Sequence, residues 1–309
     1  MKKVGKLLLI LLIIAQHVSP AISQETKNDK ELAINIVNKI CTNKPTSEDP
    51  RKDVISLFNL HTKYSIDHDI ENLKNLYADT YINNDGFDKN TYFDLINKTW
   101  EQYPIVNYTS IVKNLTIDGD SAKVQMLETA TGTTKAPIES VRGLGSIKAE
   151  SNTYYYLQKI GPYWKIVASD VISEVTSLKY GEAKNIPMSI NAPSMVKADQ
   201  NYTVALSANI PTNYFILASL TNEPITFPQK QPKEVFRNIK RKGIIERVIK
   251  ANNDNCNEYA VASIGVTKAE ISNGQAMNIN LSGIAFIMSR VNVVHLTPGK
   301  NQTTKEVTK

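Results

Sequence analysis

Cysteine is nearly absent from this 309-residue chain. Cys41 and Cys256 are too few for a disulfide-stapled scaffold, and neither has a Cys or His neighbour at zinc-ligand spacing. Glycine and proline, 13 of each, are too sparse for collagen-like or low-complexity material. With four histidines in all, no local motif brings Ser, His and Asp or Cys and His together for nucleophilic catalysis. Long apolar runs are missing too: Leu7–Ala15 spans nine residues, against the roughly 20 needed to cross hydrocarbon. What remains is ordinary globular composition, 41% hydrophobic and 21% charged, in a length that suits two domains of about 150 residues.

Lys2, Lys3 and Lys6 precede the apolar run, and small residues follow it at Ala21 and Ser23. A charged head, a short greasy core and small residues before a cleavage point predict a signal peptide over 1–23. The protein is then expected to be exported, periplasmic or extracellular and not membrane-spanning. Without the three leader lysines the formal charge of +6 falls to about +3. Export permits a Cys41–Cys256 disulfide, two independent thiols being the alternative. Six Asn-x-Ser/Thr triplets (Asn97, Asn107, Asn114, Asn201, Asn280, Asn301) are about what chance gives in so Asn-rich a chain.

Within 24–48, Leu32, Ile36 and Ile40 recur every fourth residue as in an amphipathic helix. Asp49-Pro50 then reads as cap and first position of a helix to about Asp67, with Val54, Leu57, Phe58, His61 and Tyr64 on one stripe. Further helices are expected from Asp69 to Tyr77 and, after the Asn83-Asn84-Asp85-Gly86 turn, from Lys89 to Glu101. Beyond Pro104 the period changes to two. Strands are expected over Val106–Ile117, Ala122–Thr131, Thr153–Ile160 and Tyr163–Glu174, with Asp118-Gly119 and Gly161-Pro162 as turns. Gly132–Ser151 reads as a loop or flap. Helices followed by a meandering antiparallel sheet make an α+β plan.

That order, with the stretches LKNLYADTYINNDG, NLTIDGDSAKVQM and YYYLQKIGPYWKIVASDVISE, resembles the nuclear-transport-factor-2-like, or SnoaL-like, superfamily over 49–180. The resemblance implies a cone-shaped α+β fold with a pocket between sheet and helices. It does not choose a function, because the superfamily includes isomerases, dehydratases and cyclases as well as non-catalytic binding and assembly modules.

After a linker near Lys179–Ile186, residues 187–294 read as short strands separated by Pro193, Pro211, Pro224, Asn252-Asn253-Asp254 and Asn273-Gly274, with no helical stretch. Such spacing predicts an all-β sandwich that looks immunoglobulin-like. The polar residues 295–309 are expected to be a disordered tail.

Strand alternation puts Glu128 on the apolar face with Ala122, Val124, Met126 and Ala130, and Asp170 with Trp164, Ile166 and Ala168. Two carboxylates lining a desolvated cone, with His61 from the first helix, would suit proton transfer. The competing reading places Glu128 at a rim and Asp170 on a helix end, with His61 a hydrogen-bonded core residue. Tyr81, Trp100, Tyr108, Met126, Tyr154 and Tyr156 are candidates to line a ligand pocket, or simply to pack. Lys230, Lys233, Arg237, Lys240, Arg241 and Lys242 concentrate positive charge against Glu234 and Glu246. That stretch suits an anionic glycan, lipid headgroups or a protein partner, or is a solvated turn; export disfavours nucleic acid. Gly143-Leu144-Gly145-Ser146 lacks the context of a phosphate loop, and no metal or cofactor is expected.

The sequence thus leads to an exported, non-catalytic binding or assembly protein. Its partner would be a small hydrophobic or aromatic ligand, a protein, or a twin subunit docked through the sheet. The alternative is a secreted lyase or isomerase using Glu128, Asp170 and His61.

Overall fold

The computed structural model describes residues 49–294 except positions 140, 213, 229–233, 240–242, 255 and 273–275, and the side chains of 269–279 are likewise left undescribed. The leader, the segment 24–48 with Cys41, and the tail 295–309 lie outside the described residues.

Helix α1 (Pro50–Ile66) starts where the sequence places it. Asp49 accepts a hydrogen bond from the Arg51 amide at 3.0 Å, and Pro50 sits where its missing N–H is no loss. Helix α2 (Ile70–Lys74) is one turn, capped by Asp69. It is shorter than predicted, because Tyr77–Asn83 leaves the helix as strand β1. Helix α3 (Lys89–Gln102) is capped by Asp88 and buries Tyr92, Phe93, Ile96 and Trp100.

Strands β2 (Ile105–Asp118), β3 (Ser121–Ile138), β4 (Val141–Ile160) and β5 (Tyr163–Gly181) form the antiparallel meander. β1 joins it parallel to β5, Tyr77 opposite Ile166. The expected loop at Gly132–Ser151 is instead the paired end of the β3–β4 hairpin. Small residues hide the alternation there: Gly145 faces inward beneath Tyr180, whose ring carbon Cζ lies 2.6 Å from where a Cβ would stand. Its close approach therefore requires glycine.

The second half contributes β6 (Met188–Asn191), β7 (Met195–Lys197), β8 (Asn201–Ala208), β9 (Tyr214–Pro224), β10 (Arg237–Asn238), β11 (Ile244–Lys250), β12 (Glu258–Ser272) and β13 (Ala276–Val294). Among the described residues one sheet runs through both halves in the order β10-β9-β12-β13-β5-β4-β3-β2, with β1 on β5 and β7 on β13. The span read as a linker is part of this union, since Lys179–Gly181 pairs with Gly283–Ala285 and Ala183 is fully buried.

Two cores lie on opposite faces of the long sheet. One gathers α1, α3 and the inward residues of β2–β5. A second, three-stranded sheet, β11-β8-β6, covers the other face at β9, β12 and β13. Residues of β12 alternate between cores, Tyr259 and Val261 to the first, Ala260 and Ala262 to the second. Burial on both faces explains the continuous apolar run there.

Candidate functional site

Residues converge inside the first core, beneath α1 and α3. Glu128 faces inward from β3, as alternation predicts, and is 2% exposed. Tyr155 on β4 donates to its Oε1 at 3.1 Å and Ser151 to its Oε2 at 3.2 Å. Burial pushes its carboxyl up to about 8, against the opposing pull of these hydrogen bonds. His61 faces the same interior from α1, with Nε2 2.8 Å from the Tyr77 hydroxyl and its ring centroid 6.2 Å from that of Tyr155. Burial lowers it to about 3. At neutral pH both groups are therefore uncharged, the histidine a neutral imidazole and the glutamate mostly a carboxylic acid.

Aromatic rings occupy the space between them. Tyr77 meets Tyr81 at 4.9 Å and Phe93 at 5.0 Å, Tyr81 meets Tyr92 at 5.2 Å, and Phe58 meets Tyr155 at 5.3 Å, mostly edge to face. Each tyrosine of this group is at most 2% exposed. Tyr81 also shares a 2.7 Å hydrogen bond with Ser169. Burial raises the Tyr81 and Tyr108 phenols, so both stay protonated.

The other expected site residues divide. Met126 is buried, and Trp100 donates to the Tyr108 hydroxyl at 3.0 Å while stacking on His68 at 4.6 Å. Tyr154 and Tyr156 lie on the opposite, outer face, where Lys123 Nζ stands 3.9 Å from the Tyr154 ring centre. Asp170 does not join Glu128. The register of β4 with β5 skips Val167 and again Ile172. Each bulge reverses which residues point inward, so Ser169 and Val171 are buried while Asp170 lies half-buried, accepting from Asn84 Nδ2 at 2.6 Å. Of the basic stretch, Arg237 is exposed on β10; Lys230, Lys233, Lys240, Arg241 and Lys242 lie outside the described residues.

A second buried polar cluster went unread in the sequence. Arg290, 1% exposed, donates to Asp85 Oδ1 at 2.5 Å and Oδ2 at 3.0 Å. Tyr259 donates to Glu174 at 2.8 Å. The one signal was a lone charge within the apolar stretch IAFIMSRVNVV of β13.

Among the described residues no three acidic, His or Cys side chains are grouped to hold a metal ion, and no helix is long and apolar enough to cross a membrane. A surface trough of about 440 Å³ lies instead between the ends of β6, β8 and β11, lined by Met188, Ala208, Gly243 and Ile244 among others.

No protein-family model and no curated protein matches the chain. Solved structures are similar over part of it. A conserved protein from Planctomyces limnophilus is 9% identical, covering 39% of this chain and 93% of that one at a TM-score of 0.35. A hexachlorocyclohexane dehydrochlorinase from Novosphingobium barchaimii is 14% identical, over 40% of this chain and 84% of that one at 0.33. An NTF2-like protein from Cytophaga hutchinsonii is 14% identical, over 40% and 97% at 0.30.

Proposed function

We propose that the chain is an exported, non-catalytic binding or assembly protein. Its first half would be a nuclear-transport-factor-2-like cone (49–180), and its second an immunoglobulin-like sandwich (187–294). One observation carries this reading: the space where a cone-shaped enzyme would hold substrate is filled by Tyr77, Tyr81, Tyr92 and Phe93 in mutual ring contact, with Tyr155 packed on Phe58 and His61 beside them. Contact would then be made through surfaces, with a protein partner favoured over a small ligand. Export rests on the charged, apolar and small-residue pattern of residues 1–23.

A second reading, a lyase or isomerase, is favoured by Glu128 alone. A carboxyl poised at about 8 beside a tyrosine hydroxyl is a fit general acid. Asp170 is not part of it, because it faces away.

Both readings meet in one experiment. Native mass spectrometry of protein purified from its own host should give the bare chain beginning at Gln24, and Glu128→Gln should leave its cellular role intact. A small molecule that co-purifies and is excluded by Met126→Trp would overturn the filled interior and make the partner a small ligand, whereas a loss of role in Glu128→Gln without loss of stability would replace the binding reading with the catalytic one.

A further inference from the structure

Strands β5 and β13 run side by side from the Gly181–Gly283 pair to the Val175–Ser289 pair and then part. β13 continues beside β12 and β7, β5 beside β4 and β1. The Asn83–Gly86 turn is wedged into this fork. Its Asn84 amide donates to Ser169 O at 3.0 Å, and its side chain accepts from Val171 N at 3.2 Å. Asp85 receives two hydrogen bonds from Arg290 and one from Asn257 Nδ2 at 2.9 Å. Asn257 in turn accepts from Val293 N at 3.0 Å, and Asn292 Nδ2 reaches across to Ile172 O at 2.8 Å. The Arg290 and Asp85 side chains are 0% and 3% exposed, a balanced and desolvated ion pair.

Glu174, 1% exposed, is the first residue of β5 beyond the last pair with β13, at the base of the fork. It is held by Tyr259 and, at 3.3 Å, by the Thr176 hydroxyl.

We propose that the fork is a proton-controlled latch. With Glu174 protonated, the turn is clamped by a neutral Asp85–Arg290 pair; when Glu174 ionises, Arg290 is shared between two carboxylates and the turn loosens its hold on β5 and β13.

The charged and titratable groups facing Glu174 are Arg290 of β13, Tyr259 of β12 and Asp85 of the turn, with Glu128 of β3 in electrostatic range. Burial outweighs the pull of Arg290 and the Tyr259 hydroxyl and pushes the carboxyl up to about 7, near physiological pH. The folded chain therefore takes up a proton that the unfolded or opened chain, at the ordinary value of 4.5, does not hold. The clamp is strongest below about 4.5 and is lost progressively as pH rises to about 7, after which the penalty is constant.

The test is hydrogen exchange at the Asn84, Val171 and Val293 amides of the full chain, corrected for the intrinsic pH dependence of exchange. Protection should fall roughly tenfold between pH 6 and 8. Glu174→Gln should abolish the fall, whereas Glu128→Gln and Glu223→Gln, which remove two further buried carboxyls that burial raises, should each leave it. Constant protection in the native chain, or the same fall in Glu174→Gln, overturns the proposal. Should Glu174→Gln not fold, the native series, Glu128→Gln and Glu223→Gln decide alone, a flat profile or one flattened by either of these two variants refuting the latch.

Discussion

Tyr155 donates its hydroxyl to Glu128 across the β3–β4 pair at 3.1 Å, and neither side chain sees solvent. The bond joins two neutral groups at neutral pH, because burial raises both the phenol and the carboxyl. The carboxyl stands at about 8 in the folded chain against 4.5 unfolded. Its contribution to stability is accordingly complete below about 4.5 and is lost as pH rises towards 8. Urea unfolding at pH 5, 7 and 9 should show a falling midpoint. In Glu128→Gln, where nothing ionises at this position, the fall should be smaller and the pH 9 midpoint higher than that of the native chain. Parallel profiles for the two proteins would mean that Glu128 is not desolvated as described.

Three consecutive tyrosines offer an internal comparison. Tyr155 is 0% exposed and packs its ring on Phe58, whereas Tyr154 and Tyr156 stand half-buried beside Lys123 on the other face. Tyr155→Ala should destabilise the fold by about 3–5 kcal/mol through cavity formation. Tyr154→Ala and Tyr156→Ala should each cost about 1 kcal/mol or less, the scale of an exposed cation–π contact. Denaturant midpoints of the three variants check the direction of every side chain along this strand. Equal losses would contradict it.

Gly145 gives a sharper steric case. A methyl group there would stand 2.6 Å from Tyr180 Cζ and 2.9 Å from Leu178 Cδ1. Gly145→Ala should destabilise by about 1–3 kcal/mol, as overpacking of a filled core does. Tyr180→Phe in the same chain should not relieve it, because the clash is with ring carbons and not with the hydroxyl. Thermal unfolding of the single and double variants reads this directly.

Much of the framework was legible because local chemistry is unambiguous there. The cap at Asp49, the turn at Gly119 and the inward run from Ala122 to Ala130 follow from capping, positive φ and period two. The inward direction of Glu128 and His61 follows from the same local patterns. Asp170 points elsewhere than alternation indicates, since alternation cannot register the extra residue Val167, and that one bulge reverses the faces before Asp170 is reached; the second, at Ile172, restores them for Glu174. The expected second helix runs on to Tyr77 because Leu73, Leu76 and Tyr77 keep helical spacing, and no element is expected over the rest of β1; the pairing of Tyr77 with Ile166, distant in sequence, overrides that local pattern. The partnership of Asp85 and Arg290 spans 205 positions and left no mark beyond one arginine in an apolar strand.

That partnership permits the most demanding prediction about the fold. Asp85→Ala would leave the Arg290 guanidinium buried, opposed only by Glu174, and should destabilise by about 3–5 kcal/mol. Arg290→Met alone strands the Asp85 carboxylate and should cost a similar amount. Removing both charges together exposes neither, so the double variant should lose markedly less than the two single losses combined. Because the pair ties the Asn83–Gly86 turn to β13, limited proteolysis should also cut each single variant at that turn sooner than the native chain, with the double variant between them. Additive losses would show that the two side chains act independently, and the turn would then be held by Asn84 and Asn257 alone.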